Sequence, residues 1–247
     1  MALDAALIAA LVIVILAGVT SGLTGFGFAL ISVPVLLVIY EPPAVVTLTM
    51  GLTFFTCLVI VASAWRSADV QVVLTMLPGT AAGLFAGAWL LALAGSATIK
   101  LVAGAVVVVF SLVLLRGVRL RGTHSRAAAL LAGATSGALA TMTGLSGPPA
   151  VMLLAARAYP PDAFRATIAA YFVALNVIGY AALLWQDLLT SDQLGVTAAL
   201  LPAALLSTFA GTRLSRLVPP PMFRRLTLIL LFLTGAIGAV TAVLALL

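Results

Sequence analysis

Charge is what this 247-residue sequence lacks most: 7% of its residues are Asp, Glu, Lys or Arg, 64% are hydrophobic, and the mean hydropathy is +1.31. A water-soluble globule of this size needs far more polar surface, so the solvent is mostly lipid and a soluble domain is excluded. Cysteine is nearly absent as well. Cys57 stands alone inside an apolar stretch, which excludes a disulfide framework and any cysteine-based metal site. The single histidine, His124, lies in a basic stretch and reads as a solvated loop residue. Near the middle of the apolar segments there is no Asp, Glu, His, Lys or Arg, the residue types from which proton relays and voltage sensors are built. Hydroxyls without a partner His, Lys or carboxylate argue against an intramembrane enzyme, so no catalytic residue, cofactor or metal is expected. The first apolar run follows Asp4 without a basic n-region and leads into more membrane sequence, so it reads as retained rather than cleaved.

What is present is apolar text in blocks, each long enough to enter a bilayer core of about 30 Å. Five blocks cover roughly residues 5–21, 24–40, 43–64, 70–94 and 97–115. After a basic stretch with Arg116, Arg119, Arg121, His124 and Arg126, five more cover roughly 127–142, 145–158, 164–186, 190–212 and 222–246. The second half echoes the first in residues as well as in count. Gly18-Val-Thr-Ser-Gly22 recurs as Gly133-Ala-Thr-Ser-Gly137, and Tyr40-Glu-Pro-Pro-Ala44 as Tyr159-Pro-Pro-Asp-Ala163. In the same order Trp65 answers Trp185, Pro78 answers Pro202, Gly87 answers Gly211 and Lys100 answers Arg224. Preserved order points to an internal repeat: a first unit at 1–116, a basic cytoplasmic linker at 117–126 and a second unit at 127–247.

An odd number of segments per half makes the repeats antiparallel, and the charges agree. Twelve Lys and Arg stand against six Asp and Glu, giving +6, and they collect at segment ends in a pattern that membrane topology explains better than nucleic-acid binding. The loop at Glu41 has no basic residue, while its counterpart is flanked by Arg157 and Arg165; Arg66 answers an acidic loop holding Asp187 and Asp192. The expected fold is an all-α membrane protein, a polytopic bundle of about eight to ten segments in two inverted repeats. The short second segment of each half is either a thin full span or one arm of a re-entrant hairpin.

Irregular backbone at membrane depth is tolerated only where protein or a water-filled cavity satisfies it. The strongest breaks, Gly22-Leu-Thr-Gly-Phe-Gly27 followed by Pro34 and Thr143-Gly-Leu-Ser-Gly-Pro-Pro149, hold corresponding places in the two halves, which marks a transporter's substrate site. A helix that starts inside the membrane presents unpaired N–H groups and a positive dipole end, suited to an anion. Gly22, Gly25, Gly27, Gly144 and Gly147 allow close approach; Thr24, Thr141, Thr143 and Ser146 add hydroxyl donors; Pro148 fits a first helical turn. The simpler alternative is a pair of kinked helices packed through glycine. Asn176, the one carboxamide deep in a long segment, reads equally as a cavity ligand or an interhelical hydrogen bond. Gly79, Gly83 and Gly87 read as a packing face, and Glu41, Asp162 and Arg165 as gate or coupling candidates at segment ends.

The two glycine motifs, the duplicated organisation and the basic linker together resemble the sulfite exporter TauE/SafE family over nearly the whole chain, although many members carry a third glycine where Phe26 stands. The resemblance implies a multi-pass permease of the bacterial cytoplasmic membrane that moves small sulfur-containing anions such as sulfite, sulfonates or sulfoacetate. Alternating access between the repeats is the expected mechanism; a passive anion channel is the main alternative, and a membrane scaffold would explain the packing glycines but not the paired breaks. Partners reduce to the small anionic solute and membrane lipid, with proton or other ion coupling and homo-oligomerisation left open.

Overall fold

The computed structural model describes residues 2–115, 123–215 and 217. Linker residues Arg116, Arg119 and Arg121 and the last apolar block with Arg224 and Arg225 lie outside the described residues. Within them the chain forms nine helices: α1 Ala2–Thr24, α2 Phe28–Ile39, α3 Pro42–Ala64, α4 Val70–Leu93, α5 Ser96–Leu115, α6 Arg126–Thr143, α7 Gly147–Ala156, α8 Pro161–Trp185 and α9 Ser191–Ser215. Five of these are long and apolar enough to cross a membrane, which makes the chain a multi-pass membrane protein.

The boundaries follow from local chemistry. Prolines open α3 and α8, where no N–H is needed. Asp69 Oδ1 accepts the Val72 N–H at 3.2 Å to start α4, and Ser125 Oγ accepts that of Ala128 at 3.1 Å to start α6. Gly25 and Gly144 end α1 and α6 in the left-handed region, at φ of 84° and 82°. Trp65 and Trp185 stand exposed where α3 and α8 finish, as interfacial aromatics do.

The short second segments do not cross by themselves. The ten residues of α7 rise about 15 Å, half the hydrocarbon core. Ser136 Oγ, within α6, donates to the Ser146 carbonyl, and Arg157 Nε, just past α7, donates to the Thr123 carbonyl at 2.8 Å, just before α6. The chain therefore runs along α6, turns at Gly144 and comes back beside it through α7, ending next to the residues that precede α6.

Lipid offers no hydrophobic gain for helix association, so helices must meet closely enough for dispersion to hold them. They do so through missing side chains. A Cβ on Gly79, Gly83 or Gly87 of α4 would stand 2.1, 2.0 or 2.2 Å from the carbonyl oxygens of Leu130, Ala134 and Ala138 in α6. Gly133 and Gly137 of α6 press equally on α4, while Gly18 and Gly22 of α1 press on α9. Contact numbers rise together in both pairs, so α4 runs parallel to α6 and α1 parallel to α9. Between them α3 and α8 run antiparallel: Tyr180 donates to the Thr47 carbonyl at 2.9 Å, and the Asp69 N–H to Thr167 Oγ1 at 2.9 Å. Exchanging the halves maps α4–α6 onto α9–α1 and α3–α8 onto itself, an order compatible with two inverted repeats.

These contacts reset one alignment. With Pro78 on Pro202 and Gly87 on Gly211, the α4 partner of Gly137 is Thr80, which corresponds to Ala204, the α9 partner of Gly18. Gly18 thus matches Gly137, one helical turn beyond the pairing that the Gly-x-Thr-Ser-Gly text indicates, and Thr24 matches Thr143. A turn of helix repeats small residues on one face, so sequence likeness alone slips by four positions.

Charge is unevenly placed along the bundle. Arg66, Arg126 and Arg157 share one end with Thr123, and Glu41, Asp187 and Asp192 share the other with Thr47 and Gln193, while Asp69 and Asp162 at the first end and Lys100 at the second depart from the pattern. Gly83→Leu is expected to cost more than about 3 kcal/mol, beyond ordinary overpacking because backbone is the obstacle, and to abolish a monodisperse folded peak in detergent. Gly95→Leu, with nothing within 4 Å of its Cβ, is expected to leave the peak and the unfolding temperature unchanged.

Candidate functional site

The two breaks are the same local structure built twice. Thr24 Oγ1 donates to the Thr20 carbonyl at 2.9 Å and accepts the Phe26 N–H at 3.3 Å; Thr143 Oγ1 donates to Leu139 at 2.8 Å and accepts the Leu145 N–H at 3.3 Å. The following glycine closes each helix, Gly25 N–H to Ser21 at 2.8 Å and Gly144 N–H to Ala140 at 2.9 Å. A threonine–glycine pair thus absorbs the groups that a broken helix leaves unpaired in a medium without water.

These bonds redistribute the expected roles. The hydroxyl protons of Thr24 and Thr143 are committed to backbone, and Thr141 Oγ1 donates across the helix contact to the Leu84 carbonyl at 2.7 Å. Ser146 is the one hydroxyl of the four that makes no hydrogen bond, and a Cβ on buried Gly147 would find nothing within 4 Å. Pro148 and Pro149 follow, so α7 begins with few N–H groups. The start of α2 is richer: Gly27 caps it without a side-chain bond, and the N–H groups of Phe28, Ala29 and Leu30 precede the first helical bond, Ile31 to Gly27 at 3.1 Å. Pro34 lies buried within α2. Asn176 is buried, and its Nδ2 donates to the Phe172 carbonyl of its own helix at 2.8 Å, not to a neighbouring helix.

Each break rests on the third helix of the other half. A Cβ on Gly144 would meet Thr49 of α3 at 2.7 Å, and one on Gly25 would meet Arg165 of α8 at 2.8 Å. Because α3 and α8 are antiparallel, these contacts lie near opposite ends of the pair; the stretch from Thr49 to Asp69, which bonds to Thr167, measures on the order of 30 Å. The two breaks are therefore separate elements reached from opposite sides, not one face-to-face pair.

Arg165, read from the sequence as a flank of a basic loop and as a gate or coupling candidate at a segment end, is 7% exposed, donates through Nη2 to the Gly22 carbonyl at 2.6 Å and stands 3.9 Å from the Asp162 carboxylate. An arginine one turn past two prolines, in a helix whose other charged residue is Asp162, was the available signal. Phe164 packs edge-on against Phe26 beside it, with ring centroids 5.9 Å apart. A cavity of about 600 Å³ between α5, α6 and α7 is lined by Val106, Phe110, Leu131, Pro148, Pro149 and Met152 among others, a wall that suits hydrocarbon and not an anion.

Links across the halves tie both ends. At the basic end Tyr159 donates to Asp69 Oδ2 at 2.5 Å beside the Asp69–Thr167 bond. At the acidic end Thr47 meets Gln193 Oε1 at 3.2 Å and Tyr180 meets Thr47, with Ser96 bonded to Glu41 within the first half.

With this geometry in place, a family model described as sulfite exporter TauE/SafE matches residues 10–237, nearly the whole chain. No curated protein and no solved structure shows a detectable match.

The basic-end link has a pH signature. The Tyr159 hydrogen bond, helped by the Val72 and Gln71 N–H groups and by Arg157, holds the Asp69 carboxyl below its ordinary value against partial desolvation. A depressed carboxyl contributes stability that is full above the usual carboxylate range near ~4 and is lost as pH falls through the lowered value. Asp69→Asn is expected to lower the unfolding temperature at pH 7 and to flatten its fall below about pH 4; an unchanged acid limb in thermal unfolding scans would remove Asp69 from this role.

Proposed function

Because the chain belongs to the sulfite exporter TauE/SafE family, a family of membrane transporters, we propose that it carries a small sulfur-containing oxyanion such as sulfite, a sulfonate or sulfoacetate across the bacterial cytoplasmic membrane. The observation that carries this reading is the duplicated break. Two helices, α2 and α7, start inside the membrane-embedded body after identical threonine–glycine turns, each pressed on the opposite half. Helix starts offer an anion fixed donors and a positive dipole end, so they bind charge that carries its own hydration shell up to the site and exchanges it for backbone N–H groups.

The arrangement supports alternating access. The tight cross-half pairs α4–α6 and α1–α9 flank α3–α8, and polar links join the halves at both ends of that seam. Breaking the Asp69–Tyr159–Thr167 set while keeping the Thr47 set opens the basic end, and the reverse opens the other. Close glycine contacts make α4–α6 and α1–α9 rigid pairs, each joining one helix from each half, so these pairs move as bodies and the seam is where motion is absorbed.

The test is counterflow of labelled sulfite, sulfoacetate and sulfate by the purified protein in proteoliposomes. Saturable exchange is expected. Non-saturable, rapid flux would instead establish a passive channel, and a response to an imposed pH gradient would identify proton coupling. Gly147→Val fills the open space at the α7 start without a backbone obstacle; it is expected to lower kcat/KM at least tenfold, about 1.4 kcal/mol of binding or barrier, with an unchanged unfolding temperature. Wild-type exchange by this variant would remove the α7 start from the path.

A further inference from the structure

The two breaks match in backbone but not in surroundings. Around the first, Arg165 bonds to the Gly22 carbonyl, and Gly22 itself abuts α9, where a Cβ would stand 2.3 Å from the Thr208 carbonyl oxygen and 2.7 Å from the Thr212 nitrogen. The hydroxyls of Ser21, Thr208 and Thr212 are buried there, at 1%, 0% and 5% residue exposure, and none has a hydrogen-bond partner. In the corrected alignment the counterparts are Ala140 for Ser21, Leu84 for Thr208 and Ala88 for Thr212, and the residue that meets Gly144 as Arg165 meets Gly25 is Thr49. The second set holds no charge, and its one hydroxyl, on Thr49, donates to the Val45 carbonyl at 2.7 Å.

Packing does not account for this difference, because the second half makes the equivalent contacts without a charge and with hydroxyls that are bonded to backbone. Each orphaned hydroxyl in a dry interior costs on the order of 1–3 kcal/mol. Three of them gathered beside a guanidinium call for a ligand that accepts their protons. A guanidinium supplies charge and paired donors that fit an oxyanion, and hydroxyls add neutral donors around it.

We propose that the α1 break is the charge-recognising subsite of the carrier, in which Arg165 pairs with an oxyanion and the Ser21, Thr208 and Thr212 hydroxyls donate to its oxygens. The α6 break, neutral in all four corresponding positions, is the partner element that closes the path from the other side. The proposal rests on the transport reading for its physiological ligand, but not for the binding itself. Near the basic end, which the positive-inside rule places at the cytoplasm, the subsite meets an anion coming from that side first.

The experiment compares the wild type, Arg165→Gln and the double variant Thr208→Val with Thr212→Val. Two quantities are read: the rise in unfolding temperature of the detergent-purified protein on adding sulfate or sulfite, and the half-saturation of counterflow. The double variant is expected to be as stable as the wild type or more so without anion, since it removes unpaired groups, and to raise half-saturation tenfold or more while losing the anion-induced shift. Arg165→Gln is expected to lose both. If it does not fold, the double variant decides alone, and wild-type half-saturation with a wild-type shift in that variant overturns the subsite. A wild-type protein that shows the shift but no counterflow, with the shift lost in the variants, keeps the subsite and overturns transport. A wild type with neither overturns both.

Discussion

A peptide group in hydrocarbon must find its partner inside the protein, and this fold depends on that requirement. A helix meets it automatically; a helix that stops inside the body does not. Here the stop is made twice by one device, a threonine that bonds back one turn and accepts a forward N–H, followed by a glycine in the left-handed region. The device satisfies the helix that ends. It leaves α2 with N–H groups to offer, whereas Pro148 and Pro149 leave α7 with few.

The same absence of water removes the usual reason for helices to stay together. Contact through glycine replaces it, bringing backbone against backbone along α4–α6 and α1–α9. Because each tight pair takes one helix from each half, the halves interlock. Neither half slides as a free block. The α3–α8 seam between them is more polar and less glycine-rich, with hydroxyl and carboxylate links at its ends.

A duplicated scaffold gives two equivalent positions, and function separates them. The first break gathers a guanidinium and three hydroxyls, and the second has Thr49, Ala140, Leu84 and Ala88 in their places. Symmetry of backbone with asymmetry of side chains lets one element recognise charge while the other serves as its mechanical counterpart.

Much of this was legible in the sequence. Scarcity of charge gave the lipid environment, and proline pairs, glycines and cap residues gave nearly every helix boundary, because those effects are local. The matched breaks were legible for the same reason. What the sequence alone left undetermined was long-range: the register of α1 against α6, which slips by one turn since small residues recur along a helix face; the separation of the breaks to opposite ends of α3–α8; and whether a short segment returns or crosses. Arg165 shows the difference most plainly. Its residue type and place at a helix start are those of a solvated topological charge, and only the packing of α1 against α8 carries it inside, because burial is a property of neighbours that the chain brings from 143 positions away.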